Sequence, residues 1–544
     1  MAAPSFDFGG AKLLVGGRRV DEGPAEEVKH THRGAPEALA LLVIFLAFWL
    51  RVLALDQESL WFDTAHSGVV ALNPTVGDVL RAVASDSQSP LYFLLLHFWL
   101  KLGQSDFWLR LLTALVGTGL VALAYATGRR LFTPGAGLWA ALFSALTSYQ
   151  IYYSRYPRAY ILLAFFGLAA AYTMHWALHH GRRRAWVLHG LAVVAALYTH
   201  PYAFFLLPVL WGYAAWYCLR RDWSRFLPWA ATASLACASY LPWVGVTLTQ
   251  WGQVRAGADA WIEPVSGDSL KLLYDWLWFK TRAEYGLGLD LLLRGGRYLF
   301  SAVLLVALWQ GRRRPELWLV AGLTLIPALL AFTFSALVTP LWDPRYLVFL
   351  SPFLALWLGG ALACFTLPWK PLRSAGQPLA LALLVVMSLP PLGSLYLDPA
   401  FRAPEIRSGS EWVRARYQQG DLILHINYQS YLPALWYDHQ STPGPYPEGG
   451  YSAPCVWDSL PDAWCTASPY REGYVNLELE DFARATDGER RVWLMVLYNH
   501  NWPGEDAKAQ GLVERLRGQD FALGQSARFT GVLVYELRSS QAPR

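Results

Sequence analysis

The sequence predicts a polytopic α-helical membrane protein with about eleven transmembrane helices, thirteen being the upper bound, followed by a C-terminal α/β domain. Hydrophobic residues make up 54% of the 544 positions and charged residues only 16%, whereas soluble domains are about a quarter charged. Mean hydropathy is +0.25. Aromatic residues reach 15%, with 27 Trp and 28 Tyr, and such side chains anchor at membrane interfaces. This composition excludes an ordinary cytosolic enzyme, a disordered chain and a disulfide scaffold.

Apolar segments long enough for a membrane helix recur up to residue 397. A spanning helix needs about 20 apolar residues. Residues 1–35 are polar and of mixed charge, and they are predicted to form a cytoplasmic tail. The predicted transmembrane domain, 36–397, contains spans at 36–55, 107–127, 135–151, 159–178, 186–200, 201–219, 226–247, 297–311, 316–338, 345–367 and 377–396.

Basic residues give the predicted orientation, because short loops that carry Lys and Arg stay in the cytoplasm. Basic clusters occupy every second loop: Arg129/Arg130, Arg182/Arg183/Arg184, Arg220/Arg221/Arg225, Arg312/Arg313/Arg314 and Lys370/Arg373. The apolar stretch 90–103 is too short to span and is predicted to be an interfacial or re-entrant helix on the outer side. Loops 56–106 and 248–296 and the domain 398–544 then face outward, with the chain in the plasma membrane, the inner membrane of a bacterium.

The C-terminal region has a soluble composition and strand-like runs. These are DLILHI (421–426), RVWLMVLY (491–498) and TGVLVYEL (530–537), with an amphipathic helix predicted near 505–518. This order favours a small extracytoplasmic α/β domain.

Two of the five cysteines, Cys455 and Cys465, lie in this outer domain. Because the outer compartment permits oxidation, they are predicted to form a disulfide; two buried free thiols are the alternative. Cys218, Cys237 and Cys364 lie in predicted membrane helices, where packing is their expected role.

The first outer loop carries the main catalytic candidate in the motif LWFDTAHS (60–67). A carboxylate at a membrane boundary is partly desolvated, which can raise its pKa toward the range of a general base. Asp63 is therefore the candidate base, with His66 one helical turn further on. The alternative is a solvated loop that carries charges without chemistry.

Arginines stand at two outer helix starts, in YYSRYPRAYILL (152–163) and DPRYLVFLSPF (343–353). A guanidinium is always charged and offers paired donors to a phosphate. Arg155, Arg158 and Arg345, with the adjacent Tyr346, are candidate ligands of a lipid phosphate; snorkelling to lipid headgroups is the alternative.

A histidine at another outer turn, His200 in YTHPYAFFLLP (198–208), could hydrogen-bond a headgroup or a sugar. The alternative is that it caps a helix junction.

The chain resembles the bacterial GT-C membrane glycosyltransferases, which include protein O-mannosyltransferase-like and lipid A aminoarabinose transferase-like enzymes. The matching stretches occur in the family's order over most of 36–397: LWFDTAHS, SPLYFLLLHFWLKLGQSDFWLRLLTALVG (89–117), YYSRYPRAYILLAFFGL (152–168), YTHPYAFFLLP and PRYLVFLSPFLALWL (344–358). The C-terminal domain also looks like that of many such proteins.

The resemblance implies transfer of a sugar from a polyprenyl-phosphate donor to an acceptor hydroxyl with inversion. Asp63 would act as the base, or orient the acceptor, and the outer arginines would stabilise the leaving phosphate. The expected partners are this donor, membrane lipids, and an acceptor glycan, lipid or protein. Nucleic acid is not expected, because the net charge of +5 is modest.

Two departures from the family pattern bear on metal dependence. Thr64 follows Asp63 where relatives commonly have a second acid, and Ser154-Arg155-Tyr156-Pro157-Arg158 stands where many relatives read Ser-Gln-Glu-Ala-Arg. Without paired acids, no divalent metal or other cofactor is predicted to be required. Candidates for a second outer acid are Asp86, Asp259, Glu263 and Asp268.

Two other functions are compatible with the sequence. One is a transporter-like protein for lipid-linked sugars, but transporters place ionisable residues near the bilayer midplane and often contain repeats. Few mid-helix charges and no clear repeat occur here. The other is a non-catalytic binding subunit, for which the missing acids would be of no consequence.

Overall fold

The computed structural model describes residues 35–258, 262–279, 287–364, 370–398, 403–418, 421–425, 428–441, 474–476, 491–497, 511, 513–514 and 521–539. Most of these residues are helical. The helices are α1 (Ala35–Val52), α2 (Phe62–Ala71), α3 (Val76–Ser85), α4 (Pro90–Leu100), α5 (Asp106–Leu131), α6 (Pro134–Leu146), α7 (Ser148–Ser154), α8 (Tyr160–His180), α9 (Arg183–Thr199), α10 (Ala203–Arg220), α11 (Phe226–Gln253), α12 (Gly267–Phe279), α13 (Leu287–Gln310), α14 (Pro315–Leu337), α15 (Ser351–Cys364), α16 (Lys370–Leu397), α17 (Ile406–Arg414) and α18 (Tyr428–Ser441).

Eight helical segments in the described part of the chain are long and apolar enough to cross a membrane. They are Asp106–Leu131, Tyr160–His180, Ala203–Arg220, Trp223–Ala256, Leu287–Gln310, Pro315–Leu337, Pro344–Ala363 and Gly376–Leu397. Each overlaps one predicted span. The polytopic helical class is therefore confirmed, while the number eleven stays a prediction.

The three remaining predicted spans coincide with shorter or separate helices. The predicted span 36–55 corresponds to α1, a helix of 18 residues, and the predicted span 186–200 corresponds to α9, a helix of 17 residues. The prediction for 135–151 was wrong in treating one stretch as a single helix. Thr147 adopts an extended conformation, with ψ of 119°, and separates the 13-residue α6 from α7.

The stretch 90–103 contains α4, a helix of only 11 residues. At about 1.5 Å per residue such a helix is roughly half the thickness of a bilayer core. Its length agrees with the prediction of a segment that does not span.

Close contacts between small residues hold α5 and α6 together near their connection. A Cβ on Gly137 of α6 would lie only 2.5 Å from the carbonyl oxygen of Tyr125 in α5, so glycine is required for this approach. In contrast, α11 exposes large side chains such as Leu227, Leu235 and Leu241. Exposed apolar surface on this scale marks contact with lipid or protein rather than water.

Basic loops meet at one end of the bundle. Arg130 contacts His180 at 3.2 Å between Nη2 and Nδ1, and the Arg225 guanidinium lies against Gly181. Because α8 runs from Tyr160 to His180, this basic end is opposite the end at which α8 begins. That these loops meet at one end agrees with the prediction that basic clusters occupy every second loop. The assignment of this end to the cytoplasm stays a prediction.

The C-terminal region contains a five-stranded mixed sheet of β1 (Leu422–His425), β2 (Tyr474–Asn476), β3 (Arg491–Leu497), β4 (Phe521–Phe529) and β5 (Val532–Ser539). The strand order is β2-β1-β3-β5-β4, with β1 parallel to β2 and β3, and β5 antiparallel to β3 and β4. The strand-like runs of the sequence correspond to β1, β3 and β5. Most of the helix predicted near 505–518, and both Cys455 and Cys465, lie outside the described residues.

This C-terminal region docks on the first loop through α18. The buried carboxylate of Asp106 accepts hydrogen bonds from Trp436 Nε1 at 2.8 Å and Tyr437 Oη at 3.0 Å, and it also pairs with Arg407. The Trp436 ring lies directly against Gly68 of α2. The helix that carries Asp63 is therefore packed beneath the C-terminal region.

Candidate active site

Asp63 lies in the first turn of α2, where a negative charge is favoured by the helix dipole. The turn begins after Trp61, whose carbonyl oxygen accepts a hydrogen bond from Thr64 Oγ1 at 2.7 Å. Thr64 is buried, with 2% of its surface exposed. The residue at the position of the family's second acid therefore stabilises the start of α2 and contributes no carboxylate to the site.

Two segments far from Asp63 in the sequence, and far from each other, converge on its carboxylate. Tyr156 donates a hydrogen bond to Oδ2 at 2.8 Å. Arg345 Nη1 approaches the same oxygen at 3.3 Å, and Arg158 Nη2 lies 3.8 Å from Oδ1. One carboxylate is thus held by two guanidinium groups and a phenol.

The turn between α7 and α8 directs the side chains of the Ser-Arg-Tyr-Pro-Arg motif to two different sides. Tyr156 and Arg158 face Asp63, whereas Arg155 lies on the other side. Arg155 Nη2 donates to the Ala54 carbonyl oxygen at 3.0 Å, and its guanidinium lies 5.1 Å from the centre of the Tyr396 ring. Arg155 therefore stabilises the end of α1 and does not join the other predicted arginines, because the turn directs it away from them.

Arg158 also links Asp63 to His66. Its Nη1 lies 3.4 Å from His66 Nδ1 and 3.5 Å from Ser67 Oγ. The other ring nitrogen of His66, Nε2, lies 3.6 Å from Asp86 Oδ2. Since Nδ1 faces a cation that can only donate, this arrangement places the ring proton on Nε2, toward Asp86.

Of the three described candidates for a second outer acid, Asp86 is the one that the fold brings to this cluster. Glu263 and Asp268 are exposed, and no contact with Asp63 is found for either. Asp259 lies outside the described residues.

Arg345 is oriented by Asp343, two residues earlier. Asp343 Oδ1 accepts hydrogen bonds from the Arg345 backbone nitrogen at 2.8 Å and from Nε at 3.0 Å. The preceding turn is fixed by Tyr149, whose hydroxyl donates to the Pro344 carbonyl oxygen. These contacts leave Nη1 directed at Asp63.

Aromatic rings form one wall of the cluster. Tyr156 stacks on Tyr152 and Tyr160, with ring centres 5.8 and 6.4 Å apart. Tyr160 contacts Tyr346 at 5.7 Å, and Tyr346 contacts His200 at 5.3 Å. The predicted residue Tyr346 therefore joins this wall.

His200 serves mainly as a junction residue. It ends α9, and its Nδ1 accepts a hydrogen bond from the backbone nitrogen of Tyr202 at 3.2 Å. This contact matches the alternative considered from the sequence, a cap between two helices.

Burial and neighbouring charges set the protonation states of Asp63 and His66. Burial alone would raise the pKa of Asp63, but Arg158, Arg345 and the hydrogen bond from Tyr156 outweigh it and lower this pKa. Burial lowers the pKa of His66 despite the opposing effect of Asp86. Asp63 is therefore ionised and His66 neutral near pH 7.

Sequence reasoning missed Tyr156 and Asp343, although both lie inside motifs that it singled out. The one indication in the sequence was that Tyr156 and Asp343 stand close to Arg158 and Arg345. Their contacts depend on turn geometry, which residue type alone does not determine.

Comparisons with known proteins agree with this architecture. Residues 87–245 match the family model described as dolichyl-phosphate-mannose-protein mannosyltransferase. No curated protein matches the chain by sequence. The crystal structure of apo ArnT from Cupriavidus metallidurans is similar, with a TM-score of 0.57, 14% identity and coverage of 92% of this chain and 98% of that chain.

A second structure of the same protein, bound to undecaprenyl phosphate, has a TM-score of 0.54 and 15% identity, and the match covers 94% of this chain and 98% of that chain. The chain therefore shares the fold of ArnT, in agreement with the fold expected from the order of its motifs.

Proposed function

We propose that this protein transfers a sugar from a polyprenyl-phosphate-linked donor to an acceptor hydroxyl, with inversion, at the end of the bundle where Asp63 lies. The observation that carries the proposal is the convergence of Arg158, Arg345 and Tyr156 on a single carboxylate. ArnT of Cupriavidus metallidurans, which shares the fold, has been seen with undecaprenyl phosphate bound, and this supports a lipid phosphate as the ligand here.

The arginines are suited to the leaving phosphate. Arg158 is buried, with 7% of its surface exposed, and its Nε has no hydrogen-bond partner. Arg345 is more accessible, with 30% of its side chain exposed. The phosphate gains negative charge as the glycosidic bond breaks, so fixed guanidinium groups stabilise the transition state more than the ground state.

Donor binding would activate Asp63 as a base. Without the donor, the two arginines lower the pKa of Asp63 and make it a weak base. Phosphate oxygens compete for the same guanidinium groups and bring negative charge close to the carboxylate. Both effects raise the proton affinity of Asp63 when the donor is in place.

In the transfer step, one bond to the anomeric carbon forms as another breaks. The acceptor oxygen forms a bond to the anomeric carbon while the bond from that carbon to the phosphate oxygen breaks. The electron pair of the broken bond remains on the polyprenyl phosphate. The hydroxyl proton moves to Asp63, and the sugar configuration inverts.

His66 and the tyrosine wall have supporting roles in this proposal. His66 and Asp86 hold Arg158 from the side opposite Asp63. Tyr152 and Tyr156 of this stack are half-buried and offer aromatic surface to the sugar or to the first prenyl units.

The same geometry supports an extracytoplasmic site. Arg130 and Arg225, from two of the basic loops, lie at the opposite end of the bundle, which the positive-inside rule assigns to the cytoplasm. The C-terminal region packs on α2 at the Asp63 end, where it can cover the site or select the acceptor.

A transfer assay tests the proposal. Purified protein is incubated with radiolabelled polyprenyl-phosphate hexoses and pentoses and a membrane extract as the source of acceptor. Wild type is compared with Asp63→Asn and with Asp56→Asn, an exposed acid of the same loop. We expect one donor class to be used by wild type and Asp56→Asn, with transfer lost in Asp63→Asn.

The labelled product identifies the acceptor, and the donor that is used identifies the sugar. Donor binding by all three proteins without transfer would instead support a binding or transport function and would overturn the proposal.

A further inference from the structure

We propose that His175, His179 and Glu316 form a divalent transition-metal site at the basic end of the bundle. The ligand atoms of these three residues lie within 4.8 Å of one another. The two histidines are four positions apart on α8 and therefore lie on the same face. Glu316 belongs to the first turn of α14, so a bound ion would join two helices.

The hydrogen bonds of the histidines favour metal ligation. His179 Nδ1 lies 2.9 Å from the His175 carbonyl oxygen, which fixes the proton on Nδ1 and leaves the Nε2 lone pair available. Metal-ligating histidines usually donate their second N–H in this way. The rings of His175 and His179 are stacked with centres 3.9 Å apart, so both present nitrogens to one small volume.

A second observation comes from His175 alone. Its surface is only 7% exposed, and its Nδ1 has no hydrogen-bond partner in the described structure. A buried polar atom without a partner is costly, and a ligand at this position would remove that cost. Glu316 likewise forms no ion pair within the described residues, so its carboxylate is available.

The chemistry of the donors indicates the class of ion. Two imidazoles and one carboxylate suit Zn²⁺ and related metals, and three protein ligands leave a fourth position for water. A neighbouring cavity of about 510 Å³, lined by Tyr213, Trp216, Arg221 and Pro315 among others, gives solvent access beside Glu316. Since these surroundings are basic, the carboxylate is needed to offset repulsion of a cation.

This site is separate from the reaction proposed above. Along α8, fifteen residues separate Tyr160 from His175, which corresponds to about 22 Å of helix. A metal here would link α8 and α14 and would not contact the donor sugar, so the expectation that transfer requires no metal is unaffected.

Metal titration of the full chain tests the inference. The protein is purified without a polyhistidine tag, stripped with a chelator and titrated with Co²⁺, whose visible absorption reports tetrahedral ligation. Glu316→Gln preserves shape and removes charge, and His179→Ala removes one ligand. His180→Ala is the matched control, because His180 lies at the same helix end but contacts Arg130.

We expect wild type and His180→Ala to bind one equivalent of Co²⁺ with the same spectrum. Glu316→Gln and His179→Ala should bind at least roughly tenfold more weakly, since even loss of an outer-shell partner weakens metal binding by that factor. Binding that is absent in wild type, or equal in all four proteins, would overturn the proposal.

Discussion

The Asp63 carboxylate and the Arg345 guanidinium lie 3.3 Å apart, although 282 positions separate them in the chain. Asp343 orients Arg345 from within the same turn, whereas Tyr156 orients Asp63 from a different segment. The contact therefore depends on correct packing of α2 against the segment that precedes α15. It joins the candidate base to the candidate phosphate ligand.

Loss of a site arginine should slow transfer strongly. We expect Arg345→Gln to lower kcat by about 10²-fold, the usual effect of removing one donor to a developing negative charge. The measurement is steady-state transfer with the donor identified by the panel. Arg155→Gln is the matched control, because Arg155 binds the end of α1, and its kcat should stay near that of wild type. Equal losses in both variants would contradict the assigned roles.

Removal of the Tyr156 hydroxyl should shift the pH profile of kcat/KM. The hydrogen bond from Tyr156 contributes to the lowered pKa of Asp63. Tyr156→Phe removes it, so the pKa rises and the acidic limb of the profile moves to higher pH. In Tyr198→Phe, whose hydroxyl donates to the Ser239 carbonyl oxygen elsewhere, the limb should not move. An unchanged limb in Tyr156→Phe would rule out Asp63 as the titrating base.

Docking of the C-terminal region should be sensitive to Gly68. A Cβ there would lie 2.4 Å from Trp436 Cζ3, and overpacking of this kind costs about 1–3 kcal/mol. We expect Gly68→Ala to unfold at a lower temperature than wild type. Gly77→Ala is the control, since the nearest atom to its Cβ would be Thr75 Oγ1 at 3.6 Å. A Tm of Gly68→Ala equal to that of Gly77→Ala would contradict this packing.

The pairing of Cys455 with Cys465 stays a prediction. Alkylation of the unfolded, unreduced chain should modify three of its five cysteines, and prior reduction should expose all five. Mass spectrometry of the two samples counts the adducts. Five adducts without reduction would show that the pair is not oxidised.

The spans and motifs could be predicted because their signals are local. Runs of about 20 apolar residues mark most membrane helices without tertiary information. Breaks such as Thr147 could not be predicted, since no proline or glycine marks them and packing decides where the helix ends. The role of Asp106 in docking the C-terminal region could not be predicted either. An acid at the start of a helix is favoured by the helix dipole, so its presence there indicates no tertiary contact.

The sequence predicted which charged residues form the site, but it did not predict how their side chains are arranged. The motifs brought Asp63, Arg158 and Arg345 into one hypothesis, and their side chains do meet. Arg155 had the same residue type in the same motif, yet the turn before α8 directs it to the carbonyl groups at the end of α1. Residue type predicts chemistry, whereas the direction of a side chain depends on the backbone.

In the proposed reaction, Asp63 accepts the acceptor proton and is not needed to hold the donor. The variant Asp63→Asn tests this role, with donor affinity and single-turnover transfer measured on the same preparation. We predict donor affinity at least equal to that of wild type, because the amide no longer competes for Arg158 and Arg345, with transfer slowed by at least about 10²-fold. Transfer at the wild-type rate, or loss of donor binding that accounts for the whole defect, would contradict the claim.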